Sequence, residues 1–299
     1  MILAGGEGTR LRSMTREIAG DDRPKQFCPI VGGRTLLEQT RQRVGLSFDS
    51  NRTLLVVTRS HERFYESLSD TVPKDLLLEQ PENRGTAAAI LYALFRIAAH
   101  SPQAVVAFFP SDHHFSDDQA FMSHVDLAFE AARMRPETVV LLGITPSGAE
   151  VEYGWIEPHE SILSSMPRSI TRVQRFWEKP AADVARNLMD RGCLWNSFVM
   201  VGRVDALLKM TKQASPELYG LFAENASAFG TTIEPNAVRK VYSKIPEVNF
   251  SHDVLAKSSD NLMVMRVAGV DWSDLGEPTR VLSTLARVGV RNEMTLAAS

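Results

Sequence analysis

Short apolar runs, each followed by a helical pattern, constrain this chain more than any other feature. Residues 53–58 (TLLVVT), 104–109 (AVVAFF) and 138–143 (TVVLLG) show no polar alternation, the pattern of strands buried on both faces of a parallel sheet. A clipped strand at Ile2, Leu3 and Ala4 precedes them. Helix candidates lie between, at 35–44, 60–68, 86–99 and 117–134, with Thr86 placed to cap the alanine-rich helix behind it. Strand–helix–strand repetition requires right-handed crossovers and gives an open α/β sheet.

After residue 145 the rhythm changes. Strands are expected at 153–157, 169–178, 194–201 and 262–267, with helices at 181–191 and over most of 206–229. No Ser/Gly-rich linker and no internal repeat separates the halves. The expectation is therefore one domain over 1–288 with two lobes, about 1–145 and 146–288, and a short tail at 289–299. With 44% hydrophobic and 23% charged residues, the chain can bury a core without staples. Its 33 basic and 36 acidic residues give a net charge of -3, no electrostatic footprint for nucleic acid or for an anionic membrane. Cys28 and Cys193, the only cysteines, exclude a disulfide framework and a four-cysteine zinc site, and fit a reducing cytoplasm. No apolar run reaches membrane-spanning length, and the stretch opening MILAGGEGTRLR is too short for a signal peptide.

The first strand runs directly into Gly5, Gly6, Glu7, Gly8, Thr9 and Arg10. Glycines permit positive φ and let successive N–H groups approach an anion. The carboxyl end of a parallel strand is also where open α/β sheets bind ligands, and Arg10 adds a forked cation suited to phosphate. Two rival phosphate loops fail on inspection. The dinucleotide pattern G-x-G-x-x-G, started at Gly6, meets Leu11 where its third glycine belongs. The P-loop needs G-K-[ST], but Gly8 is followed by Thr9 and Arg10.

LAGGEGTRLR, followed by RPKQF (23–27), resembles the signature of the sugar nucleotidyltransferases, also called sugar-1-phosphate pyrophosphorylases. The form PKQF is similar to that of the mannose-1-phosphate guanylyltransferases. Six further stretches appear in the family's order: EQPENRGTAAAI (79–90), FFPSDHHF (108–115), EYGWIEP (152–158), RFWEKP (175–180), WNSFVMVG (195–202) and DWSDLGEP (271–278). Each motif is weak alone; in order they span about residues 1–280. The resemblance implies a Rossmann-like, mixed but mostly parallel sheet with an α/β sugar-binding lobe. It also implies attack of a mannose 1-phosphate oxygen on the α-phosphorus of GTP, with release of pyrophosphate. Such a reaction needs positioning and charge neutralisation rather than a nucleophilic side chain.

On this resemblance Lys25 would stabilise charge on the α-phosphoryl group, and Arg10 with the glycine loop would hold the leaving phosphates. Leu3, Ala4, Gly5, Gly6, Gly8, Thr9, Gln80, Pro81, Gly85 and Thr86 would line the nucleotide. Thr86 would either contact the base or cap its helix. Asp112, at the carboxyl end of a buried strand, and Asp274 would share one Mg²⁺. Gly154, Glu178, Lys179 and Asn196 would bind the sugar phosphate, Lys179 by neutralising its charge. His113 and His114, adjacent on extended chain, face opposite ways and are assigned supporting rather than metal-ligating roles. Trp155, Trp177 and Trp195 are assigned to the core, and both cysteines to buried apolar positions. Relatives are often dimers, although no stripe in this sequence marks an interface.

Some features depart from the family pattern. Met1 stands where relatives carry several residues before ILAGG, which implies a clipped start or a frayed strand. REIAGDD (16–22) reads as an acidic, mobile insertion. In VNFSHDVLAK (248–257), Ser251 falls where relatives have aspartate, and no role is assigned there. The chain has no room for an appended isomerase domain or β-helix, so a transferase alone is expected. The enzymatic alternative is another NTP and sugar 1-phosphate pair. A metal-dependent glycosyltransferase would carry Asp-x-Asp, but Asp21–Asp22 and Asp117–Asp118 are adjacent pairs. A non-catalytic regulatory relative would have lost Lys25, Asp112 or Asp274, and all are present.

Overall fold

The apolar runs do become strands in the computed structural model, which describes residues 1–162 and 170–289. In chain order the strands are β1 (Ile2–Leu3), β2 (Leu55–Thr58), β3 (Leu77–Gln80), β4 (Val105–Pro110), β5 (His114–Phe115), β6 (Val139–Ile144), β7 (Gly154–Ile162), β8 (Ile170–Glu178), β9 (Leu194–Arg203), β10 (Leu262–Val267) and β11 (Trp272–Ser273). The helices are α1 (Arg12–Ala19), α2 (Leu36–Val44), α3 (Glu62–Tyr65), α4 (Gly85–Ala98), α5 (Asp118–Met134), α6 (Ala182–Asp190), α7 (Val204–Ala214), α8 (Pro216–Ala223), α9 (Glu234–Tyr242), α10 (Phe250–Asp253) and α11 (Pro278–Val288). The expected strand residue 169 and the tail beyond 289 lie outside the described residues. No β-helix occurs among the described residues.

The chain forms two compact units, each assembled from separated stretches. Among the described residues, one holds Met1, 84–109 and 123–269; the other holds 2–83, 110–122 and 270–289. In the second, β1, β2 and β3 run parallel, in register Leu3↔Val56 and Val56↔Leu78. The four residues of β2 are all buried, as its unbroken apolar run requires. β5 and β11 form a separate antiparallel ribbon. A core of Leu11, Met14, Cys28, Ile30, Val31, Leu36, Leu275, Val281 and Leu285 ties α1, α2 and α11 together. Each fully buried leucine of that set contributes about 1.5–3 kcal/mol.

In the first unit β4 and β6 flank β9 antiparallel, β6 pairs parallel with β10, and β10, β8 and β7 continue antiparallel. Antiparallel pairs therefore outnumber parallel ones in this unit. The aromatic side chains of α4 (Tyr92, Phe95) pack on those of α8, α9 and the turn at Phe229.

Two local expectations are corrected. The segment 60–68 is helical only over α3, with 3-10 turns on either side. The first half of REIAGDD completes α1, which ends on left-handed Gly20, and Arg16 bonds Asp22 at 2.8 Å. Thr86 does not cap α4, because the cap position belongs to Arg84.

Candidate active site

β1 ends at Leu3, the Ala4 N–H still donates to Val56 O at 2.8 Å, and the chain leaves the sheet at Gly5. A Cβ on Gly5 would stand 2.5 Å from Gln80 Nε2 and 2.8 Å from Thr58 Oγ1. Only glycine lets those side chains lie against the loop. Thr58 Oγ1 donates to Gly5 O at 3.1 Å. The buried Gln26 amide donates to Ala4 O at 3.1 Å and Gly6 O at 2.8 Å. Gly8 adopts left-handed φ of 59° with Lys25 N directly over it, 3.0 Å from where a Cβ would be. The glycine loop and the PKQF segment are thus one interlocked element. Gln80 sits buried behind that loop, its Nε2 aimed at Thr58 Oγ1 and Val57 O.

The Ser111 N–H donates to Leu3 O at 3.1 Å, which brings the exit of β4, and with it Asp112, to the end of β1. Lys25, buried, donates from Nζ to Asp274 O at 2.5 Å and Leu275 O at 3.3 Å, and lies 3.4 Å from Asp112 Oδ2. The sequence thus brings Lys25, Asp112 and Asp274 together across nearly the whole chain length. The β5–β11 ribbon, with Trp272 opposite Phe115 and Ser273 opposite His114, links the two acidic segments. Lys25 meets Asp274 through its main-chain carbonyl, while the Asp274 carboxylate accepts from Gly276 N at 2.9 Å and pairs with Arg280 Nε at 2.9 Å. Burial would raise the Asp274 pKa, but Lys25, His113 and Arg280 outweigh it and hold the carboxyl below its ordinary value. His113 is pushed down to about 4 by burial, against the opposing pull of Asp112.

Two carboxylates are hard oxygen donors, a set suited to Mg²⁺ when substrate oxygens and waters complete the shell. No group of three or more His, Cys, Asp or Glu with metal-holding geometry occurs among the described residues. His114 is a strand residue of β5. Arg10 is half-exposed, with Glu277 Oε1 at 3.6 Å.

The sugar-binding candidates cluster in the other unit. Gly154 pairs with Glu178 across β7 and β8, and a Cβ on Gly154 would stand 3.0 Å from Glu178 Oε2 and 3.4 Å from Asn196 Cβ. Asn196 sits where β9 slips register against β6, between Leu141 and Gly143. Its Oδ1 accepts from Phe198 N at 3.0 Å, and Phe198 holds a left-handed φ of 61°. Bulges and strained residues of this kind redirect side chains at functional sites. Burial raises the Glu178 pKa, although Lys179 and His252 oppose it. Lys179, itself at φ 47°, reaches Glu152 Oε2 at 3.3 Å.

Gly85 and Thr86 also belong to this unit. Gly85 has φ +82°, and a Cβ there would stand 2.9 Å from the carbonyl carbon of Val248. Val248 O accepts from Ala87 N at 3.1 Å, and the Thr86 hydroxyl accepts from Phe250 N at 2.9 Å. The segment 248–253, left without a role by its sequence, is the brace of the Gly85–Thr86 turn. Trp155 and Trp195 are buried, edge to face. Trp177 differs from the core assignment: its Nε1 donates to buried Glu157 and Arg175 stacks on its face at 3.8 Å. Both cysteines are buried, and burial pushes the Cys28 thiol up to about 11.

Sequence reasoning missed Gln26, Gly276 and Arg280. Arg280 stands six residues after Asp274, near the start of α11, a spacing that could have marked it.

The nucleotidyl transferase family model matches residues 1–288. The chain is 31% identical over 283 residues to the alginate biosynthesis protein AlgA of Pseudomonas aeruginosa, covering 92% of this chain and 56% of that protein. It is 28% identical over 287 residues to a mannose-1-phosphate guanylyltransferase of Escherichia coli, covering 92% and 57%. A solved structure described as a mannose-1-phosphate geranyltransferase from Thermus thermophilus aligns with a TM-score of 0.81 at 28% identity, over 97% of this chain and 78% of that one. The chain spans a little over half the length of these curated relatives.

Proposed function

This chain belongs to the nucleotidyl transferase family, and on that premise we propose that it transfers the guanylyl group of GTP to α-D-mannose 1-phosphate, giving GDP-mannose and pyrophosphate. The observation that carries the reading is Lys25, buried at the exit of the glycine loop, with the Asp112 carboxylate and the carbonyls of Asp274 and Leu275 around its Nζ.

An oxygen of the sugar 1-phosphate attacks the α-phosphorus, and the bond from that phosphorus to the bridging oxygen of pyrophosphate breaks in line. Lys25 Nζ offsets charge on the α-phosphoryl oxygens, and the N–H groups of the glycine loop, with Arg10, hold the leaving phosphates. For Arg10 this requires exchanging Glu277 for phosphate, which a half-exposed pair at 3.6 Å permits. Asp112 and Asp274 would hold Mg²⁺, which when bound supplies positive charge and a template for phosphate oxygens. Gln80, Pro81, Gly85 and Thr86 serve the base. Glu178 and Asn196 read sugar hydroxyls, a recognition mode that discriminates sharply against a misplaced hydroxyl, and Lys179 meets the sugar phosphate. Guanine and mannose are favoured over other pairs by the PKQF form and by the names of the relatives. The cytoplasm is the proposed compartment; among the described residues no helix is long and apolar enough to cross a membrane.

A panel of nucleoside triphosphates against sugar 1-phosphates, read by pyrophosphate release with Mg²⁺, tests the reading. GTP with mannose 1-phosphate should be turned over fastest. A faster different pair would move the specificity, and silence with every pair would remove the transferase reading.

A further inference from the structure

Beside Lys25 and Asp112 lies a second polar pair, His113 and Trp272. Trp272, buried in β11, donates its indole N–H to His113 Nδ1 at 3.3 Å, and the two rings meet edge to face at 5.3 Å. An indole N–H is a donor only. The Nδ1 it reaches must therefore be an acceptor, which leaves the ring proton on Nε2. His113 Nε2 faces Asp112 Oδ1 at 3.7 Å, while the other oxygen of that carboxylate, Oδ2, faces Lys25 at 3.4 Å. The two oxygens of Asp112 are thus claimed from two sides, by His113 and by Lys25. The contact to His113 is longer than a hydrogen bond in this structure, so it orients the carboxylate electrostatically here and needs only a small shift to close.

We propose that Trp272 and His113 set the orientation of Asp112: the indole N–H fixes His113 as its Nε2–H tautomer, and that N–H steers Asp112 Oδ1 while Lys25 takes Oδ2. His113 is a positioning residue, acting on Asp112 rather than on substrate. The device also explains why the β5–β11 ribbon matters. It seats Trp272 opposite Phe115, two residues beyond His113, and so couples the segment that carries Asp274 to the one that carries Asp112. The tautomer assignment stands on geometry alone; its consequence for metal response rests on the proposed transferase reading.

The full chain, labelled with ¹⁵N-histidine, tests the first part by long-range ¹H–¹⁵N correlation at neutral pH, with His113→Gln identifying the His113 signals. The expected result is a proton on Nε2 and none on Nδ1, with Trp272→Phe introducing the Nδ1–H form. A proton on Nδ1 in the unsubstituted chain, alone or alongside one on Nε2, overturns the proposal. The second part is read in the Mg²⁺ activation constant. Loss of a residue that orients a metal ligand costs about 10–100-fold in metal affinity. His113→Asn keeps an amide only on the Trp272 side, so it should raise the activation constant about tenfold or more while moving substrate KM less than about threefold. His113→Gln places an amide N–H where Nε2 stands and should restore most of the response. Equal losses in the Asn and Gln variants, or a fall in thermal stability with an unchanged activation constant, would show packing rather than positioning and overturn it. If the unsubstituted chain releases no pyrophosphate with any pair, the transferase reading fails, and the tautomer spectrum still decides the Trp272–His113 assignment.

Discussion

Lys25→Met keeps the length and the apolar stem of the side chain and removes only the ammonium. That group serves three oxygens, Asp274 O at 2.5 Å, Leu275 O at 3.3 Å and Asp112 Oδ2 at 3.4 Å. Two unit charges 3.4 Å apart attract by roughly 5 kcal/mol at an effective dielectric constant of about 20, much of it offset by the cost of taking both out of water. Removing one partner of so buried a pair leaves the Asp112 charge uncompensated, at a cost of about 2–4 kcal/mol. A loss of that size lowers the melting temperature by roughly 3–6 °C for a chain of this size. The rate should fall further than the fold. Loss of one preorganised charge contact to the reacting phosphoryl group costs about 10²–10³ in kcat. Calorimetric melting and pyrophosphate release at saturating substrate read the two effects separately. Lys25→Arg, whose wide fork does not fit between two carbonyls and a carboxylate, should recover part of the stability and little of the rate. A Lys25→Met chain with a kcat within about threefold of the parent would refute the catalytic assignment, and one with an unchanged melting point would refute the energetic one.

Gly85→Ala should destabilise the chain by about 2 kcal/mol or more in a urea titration, since φ is +82° and the new Cβ would strike the Val248 carbonyl; a change under about 0.5 kcal/mol would contradict that contact. Asp274 is held below its ordinary 3.8, so it contributes stability at neutral pH that is lost as pH falls through its folded pKa. Asp274→Asn should therefore be less stable at pH 7 and lose less on acidification below about pH 4, as measured by urea unfolding across pH; parallel curves for the two chains would be the wrong result. Burial holds Glu178 above its ordinary 4.5, so its ionised form costs stability above the folded pKa and that cost is relieved as pH falls through it. If Glu178 binds sugar hydroxyls as a carboxylate, the KM for sugar 1-phosphate rises as pH falls through that raised value, and Glu178→Gln flattens the dependence.

The parts of the fold that were legible in the sequence are those written in continuous local patterns. β10 occupies the expected residues 262–267, and α2 starts after Thr35 with a complete capping box to Glu38. Short motifs marked Lys25, Asp112 and Asp274 as candidates, and the structure brings the Asp112 carboxylate and the Asp274 main-chain carbonyl to the Lys25 ammonium. What stayed hidden depends on partners far away in the chain. α1 reads as polar sequence because only Met14 and Thr15 of its residues are buried, and its apolar face is defined by Leu275, Val281 and Leu285 of α11 and the turn before it. Residues 248–253 carry no pattern of their own; their role comes from main-chain bonds to the turn at Gly85. The pairing of the Asp274 carboxylate with Arg280, on a helix that begins with Pro278, is likewise not written in the DWSDLGEP motif that marked Asp274.

The fate of two labels tests the central claim most directly. GTP labelled with ³²P at the α-position, incubated with the chain, Mg²⁺ and mannose 1-phosphate, should pass its label to the sugar nucleotide, while a γ-label should leave entirely in pyrophosphate. A γ-label found on the sugar, or released as inorganic phosphate without the sugar being consumed, would contradict transfer at the α-phosphorus.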